Sequence, residues 1–178
     1  VPLTQAANPV SGLFLGSYLY EFDASGQQWN SLGTPTNTPL SVDEGYLMYY
    51  PDASTTYSFA GPMNNGVFDA AEMSSTSGHY QLVPNPYPSA IDWDASSGWT
   101  KTNLNDAIWI WSSSYGNWAA YGNDAGTNGA SRYIPVGQSF FVKANANGPA
   151  LSMNNNVRVH NSQAFLKNSK EVNNLLRI

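Results

Sequence analysis

Residues 107–121 read Ala107-Ile108-Trp109-Ile110-Trp111-Ser112-Ser113-Ser114-Tyr115-Gly116-Asn117-Trp118-Ala119-Ala120-Tyr121. Ala107 to Trp111 and Asn117 to Tyr121 are short apolar runs, rich in aromatic and β-branched side chains and parted by a Ser/Gly interval, which predicts two strands. The same pattern recurs outward in both directions, at Gly16 to Asp23, Gly45 to Tyr50, Thr56 to Ala60, His79 to Val83, Gly137 to Ala144 and Ala150 to Met153. Between the runs lie Asp23-Ala24-Ser25-Gly26, Asn64-Asn65-Gly66 and Gly126-Thr127-Asn128-Gly129, whose Asx and Gly residues suit tight turns. Helix signals are nearly absent; only Phe165 to Ile178 shows loose helical spacing, and an extended strand is preferred there. Many short strands parted by turn clusters imply an all-β fold, an antiparallel sandwich of jelly-roll type.

The chain also repeats itself. Leu19-Tyr20-Glu21-Phe22-Asp23, Trp29, Gly45 and Tyr57 are matched by Ile108-Trp109-Ile110-Trp111-Ser112, Trp118, Gly137 and Leu151, at offsets of 89, 89, 92 and 94 residues. Tyr20 with Phe22, and Trp109 with Trp111, sit two residues apart and so share a strand face. The expectation is two pseudo-repeated units packed as one domain, 1–77 and 78–160, with 161–178 as a tail. In that alignment the first unit lacks a counterpart of the strand His79 to Val83, while Leu175-Leu176-Arg177-Ile178 ends the chain in a strand-like run. These mismatched ends suggest either a fragment of a larger protein or copies that complete one another by strand addition.

With 178 residues, 13% of them aromatic and only 11% charged, the chain has ample surface for a core and is not composed like a disordered segment. The absence of Cys excludes disulfides and thiolate chemistry. No apolar run approaches the roughly 18 residues of a spanning helix. Charge is partitioned: residues 1–100 hold nine acids and no Lys or Arg, whereas 101–178 hold all seven bases and three acids. The halves therefore carry −9 and +4. An acidic half argues against nucleic acid, and complementary halves would steer copies or neighbouring modules head to tail.

Asn85-Pro86-Tyr87-Pro88-Ser89-Ala90-Ile91-Asp92-Trp93-Asp94, Gly98-Trp99-Thr100-Lys101-Thr102-Asn103-Leu104, Tyr133-Ile134-Pro135 and Gly137-Gln138-Ser139-Phe140-Phe141-Val142-Lys143-Ala144 carry a family resemblance. Together they resemble a β-rich module of large secreted proteins exported by the type IX secretion system, in the region before the C-terminal sorting domain. The resemblance implies export to the cell surface or medium and assigns no catalytic role.

Side-chain chemistry agrees with a non-enzyme. His79 and His160 lack motif partners, and there is no nucleophile elbow or phosphate-cradling loop. Asp92 and Asp94 flank Trp93 and could serve as paired carboxylates or weak calcium ligands, but at this spacing beside a turn they are better suited to bonding their own backbone amides. Trp29, Trp99 and Trp118 lie beside Gly/Ser/Asn turns, making them the candidates for glycan contact, with packing at the sandwich ends as the competing role. Trp109 and Trp111, in an apolar run, are assigned to the core. The resulting expectation is a non-catalytic extracellular structural or adhesive module without a cofactor, self-associating into a filament or surface layer through Leu175, Leu176, Arg177 and Ile178. The alternative is a carbohydrate-binding module of a secreted multidomain enzyme or adhesin. Expected partners are copies of the chain, adjacent modules or glycans, with no nucleic acid and no membrane insertion.

Overall fold

The computed structural model describes residues 18–33, 40–49, 62–70, 73–164 and 166. In chain order the strands are β1 (Tyr18–Asp23), β2 (Gln28–Gly33), β3 (Tyr46–Tyr49), β4 (Phe68–Asp69), β5 (Tyr80–Pro84), β6 (Ala90–Asp92) and β7 (Trp99–Thr102). They continue as β8 (Ala107–Ser112), β9 (Asn117–Gly122), β10 (Ala125–Gly126), β11 (Tyr133–Ile134), β12 (Ser139–Lys143), β13 (Ala150–Met153) and β14 (Arg158–Val159). One 3₁₀ turn, Asn155–Val157, precedes β14. The fold is all-β, and among the described residues its strands form four antiparallel sheets: β2-β1-β3, β10-β9-β8-β12-β5, β11-β6-β14 and β4-β13-β7. The expected strands from Gly16, Gly45, His79, Ala107, Asn117, Gly137 and Ala150 all have counterparts, with ends shifted by a residue or two. Thr56 to Ala60 and Leu175 to Ile178 lie outside the described residues, as do 165 and 167–178 of the tail.

The five-stranded sheet is the centre of the molecule, and its two faces differ. Side chains alternate along β8 and β12, so Ile108, Ile110, Phe140 and Val142 point one way and Trp109, Trp111, Ser139 and Phe141 the other. The first set is buried with Trp93, Tyr87, Ile91, Leu151 and Val157. This is the principal core, closed by the two small sheets carrying β6 and β13. The assignment of Trp109 and Trp111 to the core is therefore wrong: Ile108 and Ile110 take the inward places, and Trp111 is 46% exposed. An apolar run with no polar alternation hides its parity, and parity decides which face a side chain occupies.

The Pro-rich corner organises one end of this core. Asn85, fully buried, donates its amide to the carbonyls of Ser89 and Pro135, and its carbonyl accepts from the Tyr87 amide. The Tyr87 hydroxyl donates to Gly66 O, tying the 62–70 segment to the corner. Strand β6 follows immediately. Its three residues fall within the quoted signature but are too short and too close to prolines to be recognised as a strand by pattern. Strands β2 and β7 escaped the pattern as well, being largely polar.

A second, smaller core holds Leu19, Leu40, Tyr46 and Met48 around the β2-β1-β3 sheet. That sheet lies against the outward face of the five-stranded sheet. The Gln27 carboxamide, projecting from the β1–β2 turn at positive φ, donates to Tyr80 O at 2.9 Å and accepts from Tyr80 N at 2.8 Å. It thus satisfies both backbone groups of one edge residue of β5, as a neighbouring strand would. Close approach is possible because residue 45 is Gly: a Cβ there would come within 2.6 Å of Leu82 Cγ and 3.0 Å of Ser139 Oγ.

Candidate functional site: an aromatic cleft between two sheets

The two hairpins that face each other across this contact share a register. Phe22 opposes Trp29 in β1–β2, and Trp111 opposes Trp118 in β8–β9, with 89 residues between equivalent positions. Each hairpin has a further strand beside its first one, β3 or β12. Phe141, on β12, lies between the hairpins: its ring centroid is 4.8 Å from Phe22, 5.9 Å from Trp29 and 5.4 Å from Trp118. All these contacts are edge to face, as are Trp111–Trp118 at 5.5 Å and Tyr80–Trp109 at 5.6 Å. The geometry suits ring quadrupoles, and each pair contributes about 0.5–1.5 kcal/mol beyond burial.

The rings do not close the space between the sheets. A cleft of about 460 Å³ remains, walled by Trp29 and Tyr49 on one side and by Trp109, Trp111 and Trp118 on the other, with Phe141 at its floor. Trp29, Trp111 and Trp118 are 38%, 46% and 42% exposed. Among the described residues no Asp, Glu, Lys or Arg lines it, and the polar side chains at the wall are those of Gln138, Ser113 and Ser139, with the tyrosines Tyr46 and Tyr49. Gln138 donates its amide to Ser139 O, whereas the buried Ser139 hydroxyl has no hydrogen-bond partner in the protein. A neighbouring polar recess of about 240 Å³ is, by contrast, lined by Glu21, Asp23 and Glu44. The wall is thus electrically neutral beside an acidic surface.

Trp29 and Trp118, selected as glycan candidates, come together in this cleft. Trp99 does not: its indole N–H donates to Asp92 O at 2.8 Å and its ring packs 5.1 Å from buried Trp93. Lys101 covers the other ring of that pair, with Nζ 3.5 Å from the Trp93 centroid. Trp111 and Tyr49 were missed as site residues, and only the parity of β8 and the pairing of β3 reveal them. Leu166, from the tail, also reaches the cleft, and its carbonyl accepts from Ser113 N.

Asp92 and Asp94 form an ionic clasp. Arg132 forks onto both Asp92 oxygens at 2.7 and 2.8 Å and approaches Asp94 at 3.7 Å. Asp92 also accepts from the Asp94 amide, as its position beside a turn suggests, and the Tyr121 hydroxyl donates to Asp94 at 2.5 Å. Together the two carboxylates hold the guanidinium protonated, and a cation lodged there would face its charge. The clasp does not fit a calcium site or an acid–base pair. His79 bonds Ser74 Oγ and Ala24 O through one ring nitrogen. Among the described residues no group of three or more His, Asp or Glu could hold a metal ion, and no helix is long and apolar enough to cross a membrane.

Fold and cleft define an all-β protein of stacked antiparallel sheets with an uncharged aromatic groove. The family model for the Domain of unknown function (DUF8693) matches residues 3–177, and the chain belongs to that family. No curated protein and no solved structure matches it.

Proposed function

We propose that the chain is a non-catalytic adhesive module of the cell surface or medium, and that the aromatic cleft is its contact surface. The observation that carries this reading is the cleft wall itself, with three partly exposed Trp rings and, among the described residues, no charged side chain. Exposed aromatic surface is costly to leave in water and is typical of sites that bind. Carboxylates that could act as acid and base are instead paired with Arg132. The resemblance of the Asn85 to Asp94 corner to modules of type IX secreted proteins supports an extracellular location.

The proposal includes two pseudo-repeated units, 1–77 and 78–160, for which the common register of the two hairpins speaks. It also includes assembly with copies or adjacent modules, a process that the acidic recess and the basic second half would steer. A role for Leu175 to Ile178 in that assembly concerns residues outside those described. Trp29→Ala and Trp118→Ala are expected to abolish retention of the folded chain on cell-surface material and its self-association. Adhesion and assembly that both persist in the double variant would sink the reading.

A further inference from the structure

We infer that residues 167–178, which follow Leu166, are the occupant of their own chain's aromatic cleft, a strap with apolar side chains against its rings and bases toward the acidic recess. The inference goes beyond the reading of the cleft as a contact surface, because an outside partner would first have to displace the strap. Its support comes from the entry point of the segment, its composition and its charge.

Leu166 lines the cleft, and its carbonyl accepts from Ser113 N at 3.0 Å, so residue 167 starts at the cleft. A segment of 12 residues spans about 40 Å when fully extended, ample to cross the opening. Tethered there, it meets the cleft at an effective concentration on the order of millimolar, an advantage that a free copy lacks. Val172, Leu175, Leu176 and Ile178 supply the apolar surface that such a wall buries. The Gln138 amide is already bonded to Ser139 O, and the Ser139 hydroxyl is sealed beneath Gly45. Aliphatic side chains ask no hydrogen bond of either. Four of the seven bases are engaged within the described residues: Arg132 with Asp92, Lys101 with Asp106, Lys143 over the Tyr80 ring and Arg158 on Ser89 Oγ. The other three, Lys167, Lys170 and Arg177, all fall in 167–178, against the single acid Glu171. Glu21, Asp23 and Glu44 stand in the recess that shares Leu82 with the cleft, and among the described residues they make no ion pair. Apolar contact in the cleft and cations beside those carboxylates are thus supplied together by one short segment.

The full chain has no Cys, so introduced pairs can be cross-linked without interference. Tyr49→Cys, exposed at the cleft wall, is combined with Leu176→Cys; the reference combines Leu176→Cys with Thr102→Cys, exposed on β7 across the principal core. Under oxidised glutathione, an intramolecular disulfide is expected to form several-fold faster in the first pair than in the second. A disulfide-linked dimer in its place assigns the occupant to a second copy, and equal rates in the two pairs show that the segment has no seat; either result overturns the inference. Leu175→Asp with Leu176→Asp is expected to raise acrylamide quenching of tryptophan fluorescence about twofold, and unchanged quenching is equally fatal. No partner enters these measurements, so their failure leaves adhesion through the cleft standing, whereas adhesion that persists in the Trp29→Ala, Trp118→Ala chain removes the contact surface and not the strap.

Discussion

Tyr121 shows how a single side chain couples the core to the clasp beside it. Its hydroxyl donates to the Asp94 carboxylate, and that bond, with burial, pushes its pKa up to about 12. Losing the proton would place a second negative charge against Asp94, so the folded state holds it more tightly than the unfolded chain, where tyrosine titrates near ~10. The stabilisation is complete below about pH 10 and is lost as pH rises toward 12. Tyr87, pushed up to about 12 by burial, acts in the same direction. The thermal midpoint is therefore expected to fall between pH 10 and 12, and Tyr121→Phe to remove part of that fall. Identical alkaline slopes for the variant and the parent would show that Tyr121 does not report on folding. None of this coupling is readable in sequence, where residues 94 and 121 stand 27 apart.

At the scale of elements, the contact between the β2-β1-β3 sheet and the five-stranded sheet makes the cleft. Gln27 is its latch, bonding both backbone groups of Tyr80. Replacing it with Ala strands those groups at the edge of β5, at a cost of about 1–3 kcal/mol. Gln27→Ala is expected to lower the denaturant midpoint and to increase quenching of Trp29 and Trp118 as the sheets part. A variant with unchanged midpoint and quenching would locate the latch elsewhere. The turn that presents Gln27 was legible: Asp23-Ala24-Ser25-Gly26 is an Asx turn, with Asp23 Oδ1 accepting from the Ser25 and Gly26 amides. That the next residue would reach across to another sheet was not, because a long-range carboxamide bond leaves no local pattern.

Across the whole molecule, two hydrophobic clusters of unequal size share one chain. Among the described residues, thirteen buried side chains form the core under the five-stranded sheet, against four around β1 and β3. Apolar burial is the main source of local stability, so the smaller sheet is expected to open first. Hydrogen exchange should show weaker protection for the amides of β1 and β3 than for those of β8 and β12. Equal protection in both sheets would mean that they unfold as one unit and that the cleft is rigid. Charge also looks different at this scale. The asymmetry along the chain is partly absorbed within it, since Arg132 of the second half binds Asp92 and approaches Asp94 of the first. Among the described residues, Glu21, Asp23 and Glu44 make no ion pair.

By itself the sequence determined that this is an all-β protein: strand-length apolar runs, Gly/Asx turns and the lack of helical periodicity leave no other class, because those signals are local. It also singled out Trp29 and Trp118, each beside a turn and 89 residues apart, and in the structure they lie opposite Phe22 and Trp111 in their hairpins. Tertiary structure alone decided which face of Ala107 to Trp111 is buried, and that Trp111 joins the cleft while Trp99 leaves it. It likewise decided that Asp92 and Asp94 clasp Arg132 and that Ser139 stands unpaired. Each of these depends on which sheet packs on which face. In a run without polar alternation, only the packed neighbours select that face.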